Sequence, residues 1–137
     1  MTPPAVGASA QIVKTIDARM IESFAQLTGD INPMHLSADF ARRTRYGRPI
    51  AHGMLTASLI SAVIGTKLPG PGCIYVSQSL SFRKPVFPGD TITATATVTA
   101  VERDKPLVTL RTQCANQRGE LVLDGEARVL LDEVADP

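Results

Sequence analysis

One stretch of the chain limits the possible folds more than any other: residues 53–68 are apolar or small at nearly every position. On a helical wheel the apolar positions cover almost every side, and a helix that is apolar all round is usually buried centrally. The Pro-Gly-Pro-Gly segment at 69–72 ends this helix abruptly. The run is too short, and too rich in Ser, Thr and Gly, to indicate a membrane span. We therefore expect a long, buried central helix.

After residue 72 the apolar period changes from that of a helix to that of a strand. Four runs are rich in Val, Ile, Thr and Leu and often alternate, namely 73–83, 91–103, 107–117 and 121–131. Turn-forming segments separate the last three runs from what precedes them, and short connections imply antiparallel neighbours. The prediction is an α+β fold in which a curved antiparallel sheet wraps one long central helix.

The chain is predicted to form one domain after a short tail. Residues 1–10, with two prolines and several small residues, are expected to be a flexible N-terminal tail. Residues 11–132 are expected to be a single domain that opens with a strand at 11–16.

Local signals predict the structure between this strand and the central helix. Helical spacing indicates a helix at 18–28, with Asp17 as its N-cap and Gly29 closing it. The Asn-Pro step favours an extended or turn conformation over residues 30–36. Ser37 is placed to cap a short helix that runs to about residue 42.

Charge and composition argue against a nucleic-acid or membrane partner. The net charge is +1, only six residues are aromatic, and basic and acidic residues are interspersed. A nucleic-acid surface normally concentrates basic residues, often with aromatic platforms. The one basic cluster, at residues 42–45, is interpreted as a solvated loop.

The cysteines and the N-terminus indicate the location of the protein. Cys73 and Cys114 are expected to be reduced and buried, and the N-terminus does not resemble a signal peptide, so a cytoplasmic location is expected.

Acid–base chemistry is suggested by Asp30, Asn32 and His35, which share one short stretch. Such polar groups cost about 1–3 kcal/mol each when they are buried without partners, so an ordinary core does not need them. A histidine near a carboxylate can be tuned across neutral pH, which suits acid–base catalysis. The structural alternative is that Asp30 and Asn32 form Asx turns and His35 is a satisfied neighbour. Spacing alone does not choose between the two.

His52 and Gly53 stand at the predicted N-terminus of the central helix. The unpaired N–H groups of a helix N-terminus can polarise a carbonyl, and glycine permits close approach of a substrate. The Gly53 amide is therefore a candidate oxyanion donor. For the His52 side chain, the sequence favours helix capping without a chemical role.

No metal or cofactor site is predicted. Asp30, His35 and His52 could nominally supply two histidines and a carboxylate, but their spacing matches no helical metal motif. The chain contains no GxGxxG, Walker or GxSxG pattern. Any chemistry must then run on side chains, backbone amides and water.

Three segments, in order, resemble the MaoC-like, (R)-specific enoyl-CoA hydratases. Residues 24–35 (FAQLTGDINPMH) are similar to the hydratase motif of that family, with Met34 where Leu, Ile or Val is usual. Residues 48–54 (RPIAHGM) resemble the family's approach to its central helix, and residues 79–90 (SLSFRKPVFPGD) resemble the strand and turn that follow it. The resemblance extends over nearly the whole chain.

The resemblance implies a hot-dog fold that forms a homodimer or higher homo-oligomer, binds its thioester near the subunit interface and uses no cofactor. It implies that Asp30 and His35 hold and activate one water. That water adds to a trans-2-enoyl-CoA and gives an (R)-3-hydroxyacyl-CoA, in a reversible reaction. The Gly53 amide would bind the thioester oxygen as enolate character develops.

The candidate substrate-binding or orienting residues are Asn32, His52, Ser61 and Ile64. By the resemblance, Ser61 and Ile64 match helix positions that line the acyl pocket of short-chain members. Ser61 could instead bond back to a carbonyl one turn earlier. Arg83 and Lys84 could meet coenzyme A phosphates, although exposed charges at strand ends are the commoner case.

Three competing functions remain open at this point. Dehydration of 3-hydroxyacyl carrier-protein thioesters is the same chemistry in reverse on a protein-bound substrate. A hot-dog thioesterase would need groups arranged for attack at the carbonyl, which the spacing of Asp30 and His35 does not favour. A non-catalytic acyl-thioester-binding protein would have no reason to keep an acid–base pair.

Overall fold

The computed structural model describes residues 2–137 and contains one antiparallel sheet built around a continuous apolar core. The elements in chain order are β1 (Ser9–Thr15), α1 (Ala18–Thr28), α2 (Pro33–Leu36), α3 (Ala38–Arg42), α4 (Gly53–Thr66), β2 (Cys73–Gln78), β3 (Ser81–Phe82), β4 (Thr91–Val101), β5 (Leu107–Ala115) and β6 (Leu121–Leu131). The sheet order is β1-β4-β5-β6-β2, and the short β3 also pairs with β6. The predicted α+β architecture is therefore confirmed.

Helix α4 is the predicted central helix, and it packs against β1, β2, β4 and β5. Its buried residues are Leu55, Thr56, Ala57, Leu59, Ile60, Val63 and Ile64. Strand β4 turns alternate residues to the core, and two of these are alanines, Ala94 and Ala96. One stripe of α4, containing Met54, Ser58 and Ser61, is exposed, so the helix is buried on most sides and not on all. Within residues 2–137, no helix combines the length and apolar character needed to cross a membrane.

After residue 72 the observed strands follow the predicted ones closely except at one place. The run 73–83 was predicted as a single strand, but it forms two strands, β2 and β3, which are separated at residues 79–80. Strand β2 itself contains a bulge between Tyr75 and Ser77. At the interruption the Ser79 carbonyl oxygen passes directly over Gly125 of β6, an approach that a residue without a β-carbon permits. A β-carbon at position 125 would overlap that oxygen.

Strand β1 begins earlier than predicted. It starts at Ser9, which pairs with Thr97, and the Gly7 N–H donates to the Val98 carbonyl at 2.8 Å. The predicted tail of residues 1–10 was therefore too long at its C-terminal end.

The helix boundaries show which local signals were reliable. Helix α1 has the predicted bounds; Asp17 accepts a hydrogen bond from the Met20 N–H at 2.9 Å, and Gly29 ends the helix. The expectation of no helix over residues 30–36 was wrong, because α2 forms there as a single turn. Pro33 is at its start, where a missing N–H costs nothing, and Asn32 caps it.

Candidate active site

The end of α1 places Asp30. Gly29 has a left-handed conformation (φ 82°), and its N–H donates to the Ala25 carbonyl at 2.8 Å. The chain turns at this glycine, and the Asp30 N–H donates to Thr28 Oγ1 at 3.1 Å. Asp30 is exposed, and its Oδ1 accepts a long hydrogen bond from the Asn32 N–H at 3.4 Å. The carboxylate therefore retains lone pairs for a further partner.

The short helix α2 carries His35. The Asn32 side chain caps this helix by accepting a hydrogen bond from the Met34 N–H at 3.1 Å. His35 is half-buried, and its Nδ1 lies 2.7 Å from the carbonyl oxygen of Ile50. Because a carbonyl oxygen can only accept, Nδ1 carries a hydrogen, and Nε2 of the neutral ring is left as an acceptor.

The side chain of His52 is buried, with 1% of its surface exposed, at the N-cap position of α4. The interpretation favoured from the sequence, that this side chain caps the helix, was wrong, because it makes no capping hydrogen bond. Its Nε2–H instead donates to the backbone carbonyl of Asp30 at 2.9 Å. The His35 and His52 rings lie 4.0 Å apart between centroids. Within residues 2–137, His52 Nδ1 is buried without a hydrogen-bond partner.

These contacts bring the three polar residues together. A carboxylate oxygen of Asp30 and one ring nitrogen from each histidine all lie within 4.8 Å of one another. Both Asx-type hydrogen bonds expected from the structural alternative are present, at Asp30 and Asn32. Among residues 2–137 this is also the one group with metal-compatible spacing. The expectation of no metal stays a prediction.

Gly53 begins α4, and its N–H is among the first of the helix, which have no acceptor within it. The ring of Phe82 packs directly against this residue. An ideal β-carbon at position 53 would lie 2.6 Å from Phe82 Cε1 and 2.8 Å from Cδ1. Only glycine fits under the ring as it stands, in agreement with the close approach expected at this position.

A cavity of about 620 Å³ opens over the polar cluster and the start of α4. Its polar lining includes Asp30, His35, His52, Gly53 and Thr56. Its apolar lining includes Ile50, Phe82, Val86, Val122 and Leu123. The cavity thus combines a few polar side chains with a helix N-terminus and an apolar wall, as ligand-binding sites commonly do.

Three exposed cations also line the cavity, Arg45, Arg83 and Lys84, and we call them the rim cations. Two of them have carboxylate partners: Arg83 contacts Asp124 at 3.0 Å, and Lys84 contacts Glu120 at 2.6 Å. Arg45 instead donates to the Tyr46 hydroxyl at 2.7 Å, and its guanidinium carbon lies 4.9 Å from the centre of that ring.

The partner of Lys84 belongs to a hydrogen-bond network. Hydrogen bonds from Lys84, then Asn116 and then Arg118 lower the pKa of Glu120 to about 2. Glu120 is therefore ionised over the working pH range and holds Lys84 beside the cavity. Of the rim cations, Arg45 makes no ion pair within the described part of the chain.

Three of the residues singled out from the sequence lie outside this cavity. Ser61 is on the exposed stripe of α4, and Ile64 is 1% exposed in the core. Neither lines the cavity of this single chain. Asn32 does not line it either, and it acts on His35 indirectly by capping α2.

Phe82 and Thr56 are among the cavity residues that were not singled out from the sequence. Phe82 lies in the segment 79–90, whose resemblance was noted, but alternation on a strand does not reveal which neighbour a ring covers. Thr56 is 2% exposed, and its Oγ1 has no hydrogen-bond partner in the part of the chain that the structure describes. Its position four residues after His52 on α4 was the signal that could have found it, since residues four apart share a helix face.

Comparison with known proteins places this geometry in a family. The family model for the MaoC like domain matches residues 4–116. The (R)-specific enoyl-CoA hydratase of Rhodospirillum rubrum is 52% identical over 125 residues, which cover 91% of this chain and 86% of that protein. The enzyme of the same name from Aeromonas caviae is 50% identical over 126 residues, covering 92% and 94%.

A solved structure gives the same relationship in three dimensions. The (R)-hydratase from A. caviae involved in PHA biosynthesis superposes with a TM-score of 0.91 at 49% identity, over 93% of this chain and 97% of that one. The predicted hot-dog fold and the predicted hydro-lyase class are thereby confirmed. Both the extent of the matches and the Asp30, His35 and Gly53 arrangement lead to one conclusion: the chain belongs to the MaoC-like family.

Proposed function

We propose that the protein catalyses the reversible, (R)-specific hydration of trans-2-enoyl-CoA to (R)-3-hydroxyacyl-CoA, with Asp30 and His35 as its acid–base pair and no cofactor. The observation that carries the proposal is the meeting of the Asp30 carboxylate, the His35 ring and the N-terminus of α4 in one cavity. The (R)-specific enoyl-CoA hydratases at about half identity support the substrate and the stereochemistry.

The protonation pattern of the pair suits the activation of water. The Asp30 carboxylate and His35 Nε2 are both acceptors, because His35 Nδ1 is occupied by its bond to the Ile50 carbonyl. One water can donate a hydrogen to each of them and present an oxygen lone pair to C3 of the enoyl group. As the C3–O bond forms, the pair removes one water proton, and the same proton is delivered to C2. Water is thus added in full, and the pair returns to its starting state.

The start of α4 supplies the electrostatic part of the mechanism. Attack at C3 pushes electron density onto the thioester oxygen. The Gly53 N–H, at the positive end of α4, would hydrogen-bond that oxygen as the enolate develops. Phe82 and the apolar lining residues would exclude bulk water around the acyl chain.

The rim cations favour a coenzyme A thioester as the substrate. Coenzyme A carries phosphate groups at the end remote from the thioester, and Arg45 offers those groups a cation without an internal carboxylate partner. A carrier-protein thioester, the main alternative, presents one phosphodiester and a protein surface. Direct competition between crotonyl-CoA and a crotonyl carrier protein would separate the two.

A homodimer is part of the proposal, and the edge of the sheet supports it. Strand β2 is an edge strand, and its residues Ile74, Tyr75 and Val76 are 50%, 38% and 51% exposed. An unpaired strand with three consecutive exposed apolar residues is a surface that proteins normally cover. A second copy of the same strand, added antiparallel, would cover it symmetrically.

A cytoplasmic location completes the proposal. Cys73 and Cys114 are free, and burial raises the pKa of the Cys114 thiol to about 12. Such a buried thiol is chemically inert and does not call for an oxidising compartment.

The test is the loss of conjugated-thioester ultraviolet absorbance when the protein is mixed with crotonyl-CoA. Wild type should hydrate the substrate, and Asp30→Asn and His35→Ala should each lower kcat by roughly 10²-fold or more. Asp39→Asn is the matched control, because Asp39 is an exposed carboxylate on α3 that does not line the cavity. Wild type without turnover on crotonyl-CoA or longer enoyl-CoAs would contradict the proposal. Tight thioester binding without turnover would indicate the non-catalytic alternative.

A further inference from the structure

We propose that His52 is a positioning residue that holds both members of the acid–base pair in place. This inference rests on the proposed function, because it concerns the geometry of Asp30 and His35. It assigns to the His52 side chain a role other than helix capping, which the structure excludes.

The first support is the tether between His52 and Asp30. Asp30 lies in the turn after Gly29, and its local hydrogen bonds are to Thr28 and Asn32, within two residues. The bond from His52 Nε2–H to the Asp30 carbonyl, at 2.9 Å, joins this exposed turn to the buried start of α4, 22 residues away. This bond therefore fixes the position of the Asp30 turn relative to the buried core.

The second support is the contact with the other member of the pair. The His52 ring lies 4.0 Å from the His35 ring between centroids, with an interplanar angle of 35°. The carbonyl of Ile50, two residues before His52, holds His35 Nδ1. The His35 ring is therefore fixed twice by the same short segment, once through its edge and once through its face. Phe24 of α1 packs against His52 at 4.8 Å and supports that ring in turn.

The third support is what His52 leaves unsatisfied. Its Nδ1 is buried with no hydrogen-bond partner among the described residues, which lowers stability relative to an apolar ring. If residue 52 served only to pack, phenylalanine would give the more stable protein, because it has no buried nitrogen to satisfy. The polar ring has one satisfied nitrogen, Nε2, and that nitrogen binds the residue that carries the carboxylate. The function of this imidazole is thus the tether.

Two variants separate the tether from packing. His52→Phe keeps an aromatic ring beside His35 and removes the donor, whereas His52→Gln places an amide N–H where Nε2–H stood. We expect His52→Phe to lower kcat for crotonyl-CoA on the order of 10- to 100-fold, with little change in KM, because a small displacement of reacting groups is costly. His52→Gln should recover part of that loss, because it restores the bond to the Asp30 carbonyl but not the ring beside His35. Thermal melts of both variants must show folded protein.

A second measurement does not depend on turnover. In protein labelled with ¹⁵N, the ring resonances of His35 report its tautomer and surroundings. They should move most in His52→Gln, which removes the ring from the face of His35, and less in His52→Phe, which keeps a ring there. Full kcat in His52→Phe, or equal losses in both variants, would overturn the positioning role. If wild type itself fails to hydrate crotonyl-CoA, the proposed function falls, and the His35 resonances alone decide whether His52 positions that ring.

Discussion

The ring of Phe82 covers Gly53 so closely that a β-carbon on residue 53 would come within 2.6 Å of Cε1. Gly53→Ala must therefore displace the ring or shift the backbone that carries the proposed oxyanion donor. We expect kcat/KM for crotonyl-CoA to fall by ~100-fold, the usual effect of losing one such donor. The absorbance assay measures this directly.

The same helix provides the control for this substitution. Gly65 is exposed on α4, and a β-carbon there would meet nothing within 4 Å. Gly65→Ala should leave kcat/KM unchanged and raise the free energy of unfolding by about 0.5–1 kcal/mol. The steric conflict with Phe82 should also lower the melting temperature of Gly53→Ala, and adding Phe82→Leu should recover part of that decrease. Full activity in Gly53→Ala would show that close approach at this residue is not needed.

Gly125→Ala should be strongly destabilising. The new methyl group would overlap the Ser79 carbonyl oxygen, which belongs to the backbone and cannot rotate away. We expect the free energy of unfolding in urea to fall by about 3 kcal/mol, toward the upper end for overpacking. A loss close to zero would mean that the crossing between β2 and β3 is looser than its geometry indicates.

Arg45→Gln should weaken the binding of crotonyl-CoA. We expect KM to rise about 3-fold at low salt with kcat unchanged, since an exposed ion pair contributes little and is screened. The KM for a crotonyl-pantetheine thioester, which has no phosphate, should not change. Arg19→Gln, an exposed cation on α1 away from the cavity, is the control. A kcat effect in Arg45→Gln would point to a structural role for this residue.

The hydrogen bonds to Glu120 predict how the stability of the protein changes at acidic pH. The pKa of Glu120 is lowered from 4.5 to about 2, so its contribution to stability is present above pH 4.5 and is lost as pH falls toward 2. The melting temperature of wild type should therefore exceed that of Glu120→Gln by a constant amount above pH 4.5. The difference should shrink between pH 4.5 and pH 2. A difference that grew on acidification would contradict the ionised, lysine-bound state of this carboxyl.

Val76→Lys should prevent dimerisation. Val76 is 51% exposed on the edge strand β2, and a lysine there would bury charge in the proposed interface. Light scattering after size-exclusion chromatography should give the mass of a dimer for wild type and of a monomer for the variant. Val13→Lys tests the opposite edge, where Val13 of β1 is 57% exposed, and it should remain a dimer. A monomeric wild type would remove the dimer from the proposal.

The sequence predicted elements best where one local signal decides. The bounds of α1 follow from an amphipathic pattern between an Asp17 cap and a left-handed Gly29, and all of that information lies within thirteen residues. Helix α2 was missed because Asn-Pro is read as a break, although Pro is also the preferred first residue of a helix. The division of 73–83 was missed because the close approach of Ser79 to Gly125 at that point joins residues that are distant in sequence.

The residues of the candidate site also differ in how far the sequence could predict them. Asp30, His35 and Gly53 were singled out because their residue types and motif suggest acid–base chemistry, and all three line the cavity. The partner of His52 could not be found, because the acceptor is the Asp30 main chain and a backbone carbonyl has no residue-specific signal. Ser61 and Ile64 are still predicted as acyl-pocket residues, and their outcome depends on what covers the exposed stripe of α4.

Both histidines of the site are held by backbone carbonyls, those of Ile50 and Asp30. Side-chain replacement at position 30 consequently leaves the anchor at that position intact, because the anchoring atom is common to all amino acids. The side chain at position 30 can thus be changed while the backbone hydrogen bond to His52 is kept. Asp30→Asn or Asp30→Ser changes the chemistry offered to the cavity without releasing the turn that presents it, and new reactivity could be introduced there on an unchanged scaffold.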